Sequence, residues 1–239
     1  MEVLDGVVYE KPFPHIVIEN FYNKEELELI WEELKFFTKP GKLLDATGFG
    51  GVVGKTNSHA LILDDVFSEQ RNLSNILTVN RKIFKGDLLK KFSEIHDCCS
   101  IASKANYDVT KLRYYHDGEY YKPHIDAPFQ FLAFTYFYKE PNMQNSYMKY
   151  LDKSNSKRFS GGEIYFPKYD YEFSCYNNSM IMFPGWVEHG VREVSIKNSD
   201  FYDGFGRYCI SSFFGSKSAS VSKALNPSSD KVPRGGGNS

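Results

Sequence analysis

YYHDGEYYKPHID, residues 114–126, ends on a His-x-Asp pair, His124 and Asp126. If the segment is a strand, side chains two apart share a face. An imidazole nitrogen and a carboxylate oxygen then converge on one point. They make two thirds of a 2-His-1-carboxylate facial triad, the set that holds non-haem Fe(II) and leaves positions open for substrate and oxygen. His189, in FPGWVEHGVREV at 183–194, is the candidate third ligand. A His-x-Asp pair alone is weak, because any such strand matches it; its surroundings decide what it means.

Those surroundings are strand-like. KLRYY (111–115), FLAFTYFYK (131–139), GGEIYFP (161–167), SMIMFP (179–184) and GRYCISSFFG (206–215) are short runs of β-branched and aromatic residues, bounded by Gly, Pro, Asp and Asn. Upstream the pattern differs. Residues 13–21, FPHIVIENF, read as a first strand. NKEELELIWEELKFF follows, with Asn23 as cap, Glu26 three residues on, and Leu27, Ile30, Trp31 and Leu34 on one buried face. Pro40-Gly41 stops that helix. Residues 64–100 read as helical with a break at Gly86-Asp87. Helices first and strands after imply an α+β unit, mainly β, whose sheets form a sandwich or jelly roll.

Composition sets bounds. At 239 residues, 41% apolar and 16% aromatic, the chain can bury a sizeable core as one elaborated domain. Its net charge of −1 gives no global positive field for nucleic acid. The acidic start, MEVLDGVVYE, is unlike a signal peptide, and no apolar run approaches a membrane span. The expectation is a soluble, cytoplasmic protein. Cys98, Cys99, Cys175 and Cys209 read as free thiols. The glycine-rich run GFGGVVG (48–54) lacks the pattern of a phosphate loop and reads as a mobile lid. The polar stretch 139–160 reads as a mobile insert. Residues 216–239, rich in Ser, Gly and Pro, read as a flexible tail, in part a remnant of expression.

HID (124–126), GGEIYF (161–166), MFPGWVEHGV (182–191), GRYCISSFF (206–214) and the opening FPHIVIENFYNKEELELI resemble the prolyl 4-hydroxylase-like branch of the Fe(II)/2-oxoglutarate-dependent dioxygenases. The likeness covers residues 10–215, by the order of the pieces rather than by any single motif. It implies a double-stranded β-helix, a jelly roll with N-terminal helices on one sheet. One domain would span 1–215, with strand-helix support over 10–100 and the jelly-roll core over 107–215.

The resemblance also implies a site. His124, Asp126 and His189 would be the catalytic iron ligands. Arg207 would pair with the far carboxylate of 2-oxoglutarate, as a planar guanidinium can through two parallel hydrogen bonds. Arg207 stands 18 residues after His189, roughly twice the family's usual interval, with KNSDFYDG between. The competitor is Arg192, which on an extended strand would face away from His189. Tyr114 and Tyr136 match cosubstrate-contacting positions. Tyr121 would face the substrate channel, and Trp186 would wall the pocket or fill the core. His15, His59, His96 and His116 have no partner at ligand spacing and read as structural or exposed.

Fe(II), 2-oxoglutarate and O2 are the implied cofactors, with ascorbate as a further one. The implied reaction is hydroxylation of an aliphatic carbon, foremost a prolyl residue in a peptide or protein. A free amino acid or small metabolite, nucleic-acid demethylation, and a non-catalytic β-sandwich binding module are the rival readings. The sequence is silent on oligomeric state.

Overall fold

Asn23 and Glu26 close a reciprocal cap on the first long helix. The Glu26 amide donates to Asn23 Oδ1 and the Asn23 amide to Glu26 Oε2, each at 2.9 Å. Two otherwise orphaned donors are thereby satisfied. In the computed structural model, which describes residues 6–37, 39–46, 56–84, 87–127, 130–138, 157–200 and 205–216, this helix is α1 (Lys24–Phe37). The regions expected to be a lid (48–54), most of the insert (139–160) and all but Ser216 of the tail lie outside the described residues.

The chain begins with β1 (Val7–Tyr9) and β2 (His15–Ile18) before α1. After it come β3 (Leu44–Asp45), β4 (Thr56–Asn57) and β5 (His59–Ile62), then the short helices α2 (Leu63–Val66), α3 (Asn75–Asn80) and α4 (Leu88–Ile95). Next are β6 (Tyr107–Tyr115), β7 (Tyr120–His124), β8 (Gln130–Phe137), β9 (Phe159–Ser160) and β10 (Ile164–Phe166). The last are β11 (Tyr171–Phe173), β12 (Ser179–Pro184), β13 (His189–Val191), β14 (Ser195–Ile196) and β15 (Arg207–Gly215). The five strand-like runs and the first strand fall where the composition puts them. Strands β3 to β5 fall in the glycine-rich region, where no strand is expected. The helical region is several short pieces rather than one or two long ones.

Eight strands form one sheet in the order β1-β2-β12-β8-β15-β6-β5-β3; five form a facing sheet, β11-β10-β13-β7-β4. Their antiparallel pairing is that of a jelly-roll sandwich. Alternation sorts the large sheet's side chains. Leu112, Tyr114, Ala133, Phe137, Met180, Met182, Tyr208 and Ile210 face the helices. There they meet Leu27, Ile30, Trp31 and Leu34 of α1. Burying each such side chain contributes about 1.5–3 kcal/mol relative to exposure. Leu132, Phe134, Tyr136, Ile181, Phe183, Cys209 and Phe213 face the other way, into the sandwich. That parity decides which residues can reach the interior. No helix among the described residues is long and apolar enough to cross a membrane.

Candidate active site

β7 and β13 are neighbours in the smaller sheet, and His189 is the cross-strand partner of His124. Their ring centroids lie 4.5 Å apart. Asp126 follows the end of β7, where its amide donates to the Gly185 carbonyl at 2.9 Å. The alternation argument thus reaches just past the ladder. One ligand atom from each of His124, Asp126 and His189 lies within 4.8 Å of the others.

Backbone carbonyls orient both rings. His124 Nδ1 lies 3.0 Å from the Lys122 carbonyl, and His189 Nδ1 lies 2.9 Å from the Val187 carbonyl. A carbonyl only accepts, so each Nδ1 carries a hydrogen, and in the neutral imidazole Nε2 then presents a lone pair. Burial, with His124 alongside, drives His189 down to about 3, so its imidazole is neutral. Asp126 Oδ2 stands 3.5 Å from His189 Nε2 and 4.0 Å from His124 Nε2. It is buried without a hydrogen-bond partner among the described residues. With His189 neutral, its contact with Asp126 is not an ion pair. Burial raises its carboxyl above the usual range, against the pull of His124, Lys111 and Arg113. Three ligand atoms gathered at one point fit a divalent cation, and two imidazoles with one carboxylate suit iron.

The facing wall of the same cavity comes from β6 and β15. Their register pairs Arg207 with Tyr115, Cys209 with Arg113 and Ser211 with Lys111, and all six line the cavity. Arg207 is 2% exposed. Its guanidinium lies 4.5 Å from the Tyr115 ring and 4.9 Å from the Tyr136 ring. Its Nε donates to the Gly162 carbonyl. Among the described residues, the ion pairs do not include it. A guanidinium does not deprotonate, so this buried charge calls for an anion. Arg192 points outward instead, donating to Glu172 at 2.9 Å with both side chains well exposed. The long interval between His189 and Arg207 holds β14, which pairs with β9 in a separate two-stranded sheet.

The tyrosines divide. Tyr121 lines the cavity and stacks on His124, ring centroids 3.9 Å apart. Tyr136 sits beside Arg207. Tyr114 does not reach the cavity: it lies on the helix-facing side of β6, 4.5 Å from Tyr208. Its neighbour Tyr115 takes that place, because one step along a strand reverses the face. Trp186 neither lines the cavity nor fills the core; it is 36% exposed, in the turn before β13. Lys111 and Arg113 escape the sequence reading, although cations at alternate positions of a strand flanked by Leu112 and Tyr114 were a usable signal. His59 and His116, expected to lack partners, lie together with Glu119.

Residues 110–215 match the 2OG-Fe(II) oxygenase superfamily. That stretch of the chain belongs to the superfamily. The oxygenase is an enzyme whose cofactors are Fe(II), 2-oxoglutarate and O2. No curated protein sequence matches it. A prolyl-4-hydroxylase from Pseudomonas putida is similar in structure, with a TM-score of 0.50 at 11% identity over 85% of this chain and 93% of the other. A prolyl hydroxylase from Trichoplax adhaerens, in complex with a hypoxia-inducible-factor peptide fragment, has a TM-score of 0.56 at 13% identity over 89% and 86%. The non-haem α-ketoglutarate-dependent epimerase SnoN from nogalamycin biosynthesis has a TM-score of 0.50 at 9% identity over 94% and 84%. At such identities the likeness is one of fold, which the oxygenase shares with enzymes of differing chemistry.

Proposed function

We propose that this oxygenase hydroxylates an aliphatic carbon of a peptide, foremost at a prolyl residue, with His124, Asp126 and His189 holding Fe(II) and Arg207 anchoring 2-oxoglutarate. One observation carries the reading. Two imidazole lone pairs and an unpartnered carboxylate oxygen converge in the cavity that a buried guanidinium also enters. Held by His124, Asp126 and His189, Fe(II) would supply the O2 chemistry by which 2-oxoglutarate goes to succinate and CO2 while one oxygen atom enters the substrate carbon.

The chain's own residues do the rest. The Lys122 and Val187 carbonyls hold the two imidazoles in the tautomer that turns Nε2 inward. Gly162 takes up the Nε of Arg207, and Nη2 donates to Cys175 Sγ at 3.8 Å, a weak acceptor that a carboxylate gripping both terminal nitrogens would displace. Tyr115 and Tyr136 sandwich that guanidinium; burial keeps both phenols neutral. Phe134, Val191 and Phe213 line the cavity and exclude water from the reacting centre.

A peptide is favoured over a small molecule by the rim. Ile125, between two of the ligands, is 59% exposed, and Trp186 is 36% exposed. The hydrogen bond from Asp126 to Gly185 puts the two chain segments side by side. Apolar side chains on both sides of the site suit an extended chain, and the Trichoplax adhaerens enzyme of the same fold takes a peptide.

The test is succinate release from 2-oxoglutarate with Fe(II) and a panel of proline-containing peptides, followed by mass spectrometry of the peptides. Release stimulated by a peptide that gains one oxygen atom is the expected result. Stimulation by a free amino acid alone would favour the small-molecule reading, and no turnover at all would favour a binding module.

A further inference from the structure

His59, His116 and Glu119 form a second two-imidazole, one-carboxylate cluster, separate from the first. His59 opens β5, opposite Asp45 on β3 and Tyr114 on β6. His116 directly follows β6, and Glu119 directly precedes β7. His59 Nδ1 lies 2.8 Å from Glu119 Oε1 and 3.0 Å from His116 Nδ1, and His116 Nδ1 lies 3.5 Å from Glu119 Oε1. The tight turn fixes the carboxylate. Gly118 adopts φ +73, and the His116 amide donates to Glu119 Oε2 at 2.8 Å. Oε1 is thereby aimed at the rings. The Glu119 side chain is 6% exposed and that of His59 37%, so the cluster is anchored inside and reachable from outside.

Protons fit this triangle poorly. A single hydrogen on His59 Nδ1 cannot lie along both the line to the carboxylate and the line to His116. If both Nδ1 atoms carry hydrogens, two N–H groups collide at 3.0 Å. One cation among the three atoms satisfies all of them. Zinc bonds of about 2.0–2.2 Å at tetrahedral angles set ligand atoms roughly 3.3–3.5 Å apart. The 3.5 Å separation already matches, and those of 2.8 and 3.0 Å would widen by roughly half an ångström to reach it. Two imidazoles and a carboxylate are also a usual donor set for such an ion.

We propose that His59, His116 and Glu119 bind a divalent transition-metal ion of the zinc class. Three protein ligands leave a position open toward solvent on the His59 side. The ion would tie the β5 strand of the large sheet to the turn between β6 and β7. It would brace the strand whose far end carries His124. The inference does not rest on the iron reading, because it uses none of the same ligands.

The test removes the first site and titrates the second. The His124→Ala, Asp126→Ala double variant, stripped of metal, is titrated with Co(II) alone. Stoichiometry is followed by equilibrium dialysis and ligand geometry by the visible spectrum. About one equivalent should bind with the strong absorption of a low-symmetry, four-coordinate ion. Adding His59→Gln and Glu119→Gln should weaken binding by more than the 10–100-fold that changes beyond the ligand shell cost. Should that variant lose its circular-dichroism spectrum, His59→Gln alone, at the least buried ligand, makes the same comparison. No Co(II) bound by the double variant overturns the proposal. So does binding that survives replacement of His59.

Discussion

The Nε of Arg207 donates to the main-chain carbonyl of Gly162, 45 residues away in sequence. That bond joins the start of the GGEIYF run to the start of β15. Gly162 has φ +77, and a Cβ there would stand 2.5 Å from Arg207 Cδ. Glycine is required twice over, by backbone conformation and by the close approach of the arginine stem.

Gly162→Ala is therefore expected to displace Arg207 rather than merely soften a turn. The apparent KM for 2-oxoglutarate should rise about tenfold or more, with about 1–3 kcal/mol of stability lost to backbone strain. Steady-state kinetics with denaturant melts check both. Wild-type cosubstrate affinity in a folded variant would show that the Gly162 contact does not position the guanidinium.

Arg207→Lys should raise that KM by roughly 10–100-fold, because an ammonium cannot make the paired charge-assisted bonds, each worth about 1.5–3 kcal/mol. Arg192→Ala should leave it unchanged, since Arg192 pairs with Glu172 on the outside. Reversed results would move the anchor to Arg192.

Lys111 gives a pH-dependent signature. Burial first, and Arg113 second, pull its ammonium down to about 8. An unfolded lysine titrates near 10.4, so between those values the unfolded chain binds more protons. Stability from this group consequently rises with pH between about 8 and about 10.4, as the buried charge is relieved. Urea denaturation at the two ends of that window should show a rise that Lys111→Met abolishes. An equal rise in the variant would place the effect elsewhere.

Much of this molecule was legible because the informative signals are local. The Asn23–Glu26 cap, the α1 stripe and the five aromatic runs each depend on neighbours a few residues away. That His124, Asp126 and His189 lie together was foreseeable for a similar reason: the first two are two residues apart, and His189 is the lone histidine of a strand-like run. What escaped depends on parity and register. Tyr114 and Tyr115 are equivalent in sequence, and only the direction in which β6 turns its Leu112 face shows which one meets Arg207. The cluster of His59, His116 and Glu119 joins a strand hidden in a glycine-rich region to a turn 57 residues later, a pairing that no spacing rule encodes. Trp186 was expected in the pocket wall or the core, whereas it follows Gly185 in the turn before β13 and stands partly exposed at the rim.

The central claim is that His124 and His189, paired across β7 and β13, share one metal ion with Asp126. Crystals grown with Mn(II) and 2-oxoglutarate under anaerobic conditions, measured for anomalous scattering, test it most directly. The account predicts a manganese peak in contact with both Nε2 atoms and an Asp126 carboxylate oxygen, and a 2-oxoglutarate carboxylate on Arg207. An ordered site with the imidazoles turned apart and no peak between them would contradict it.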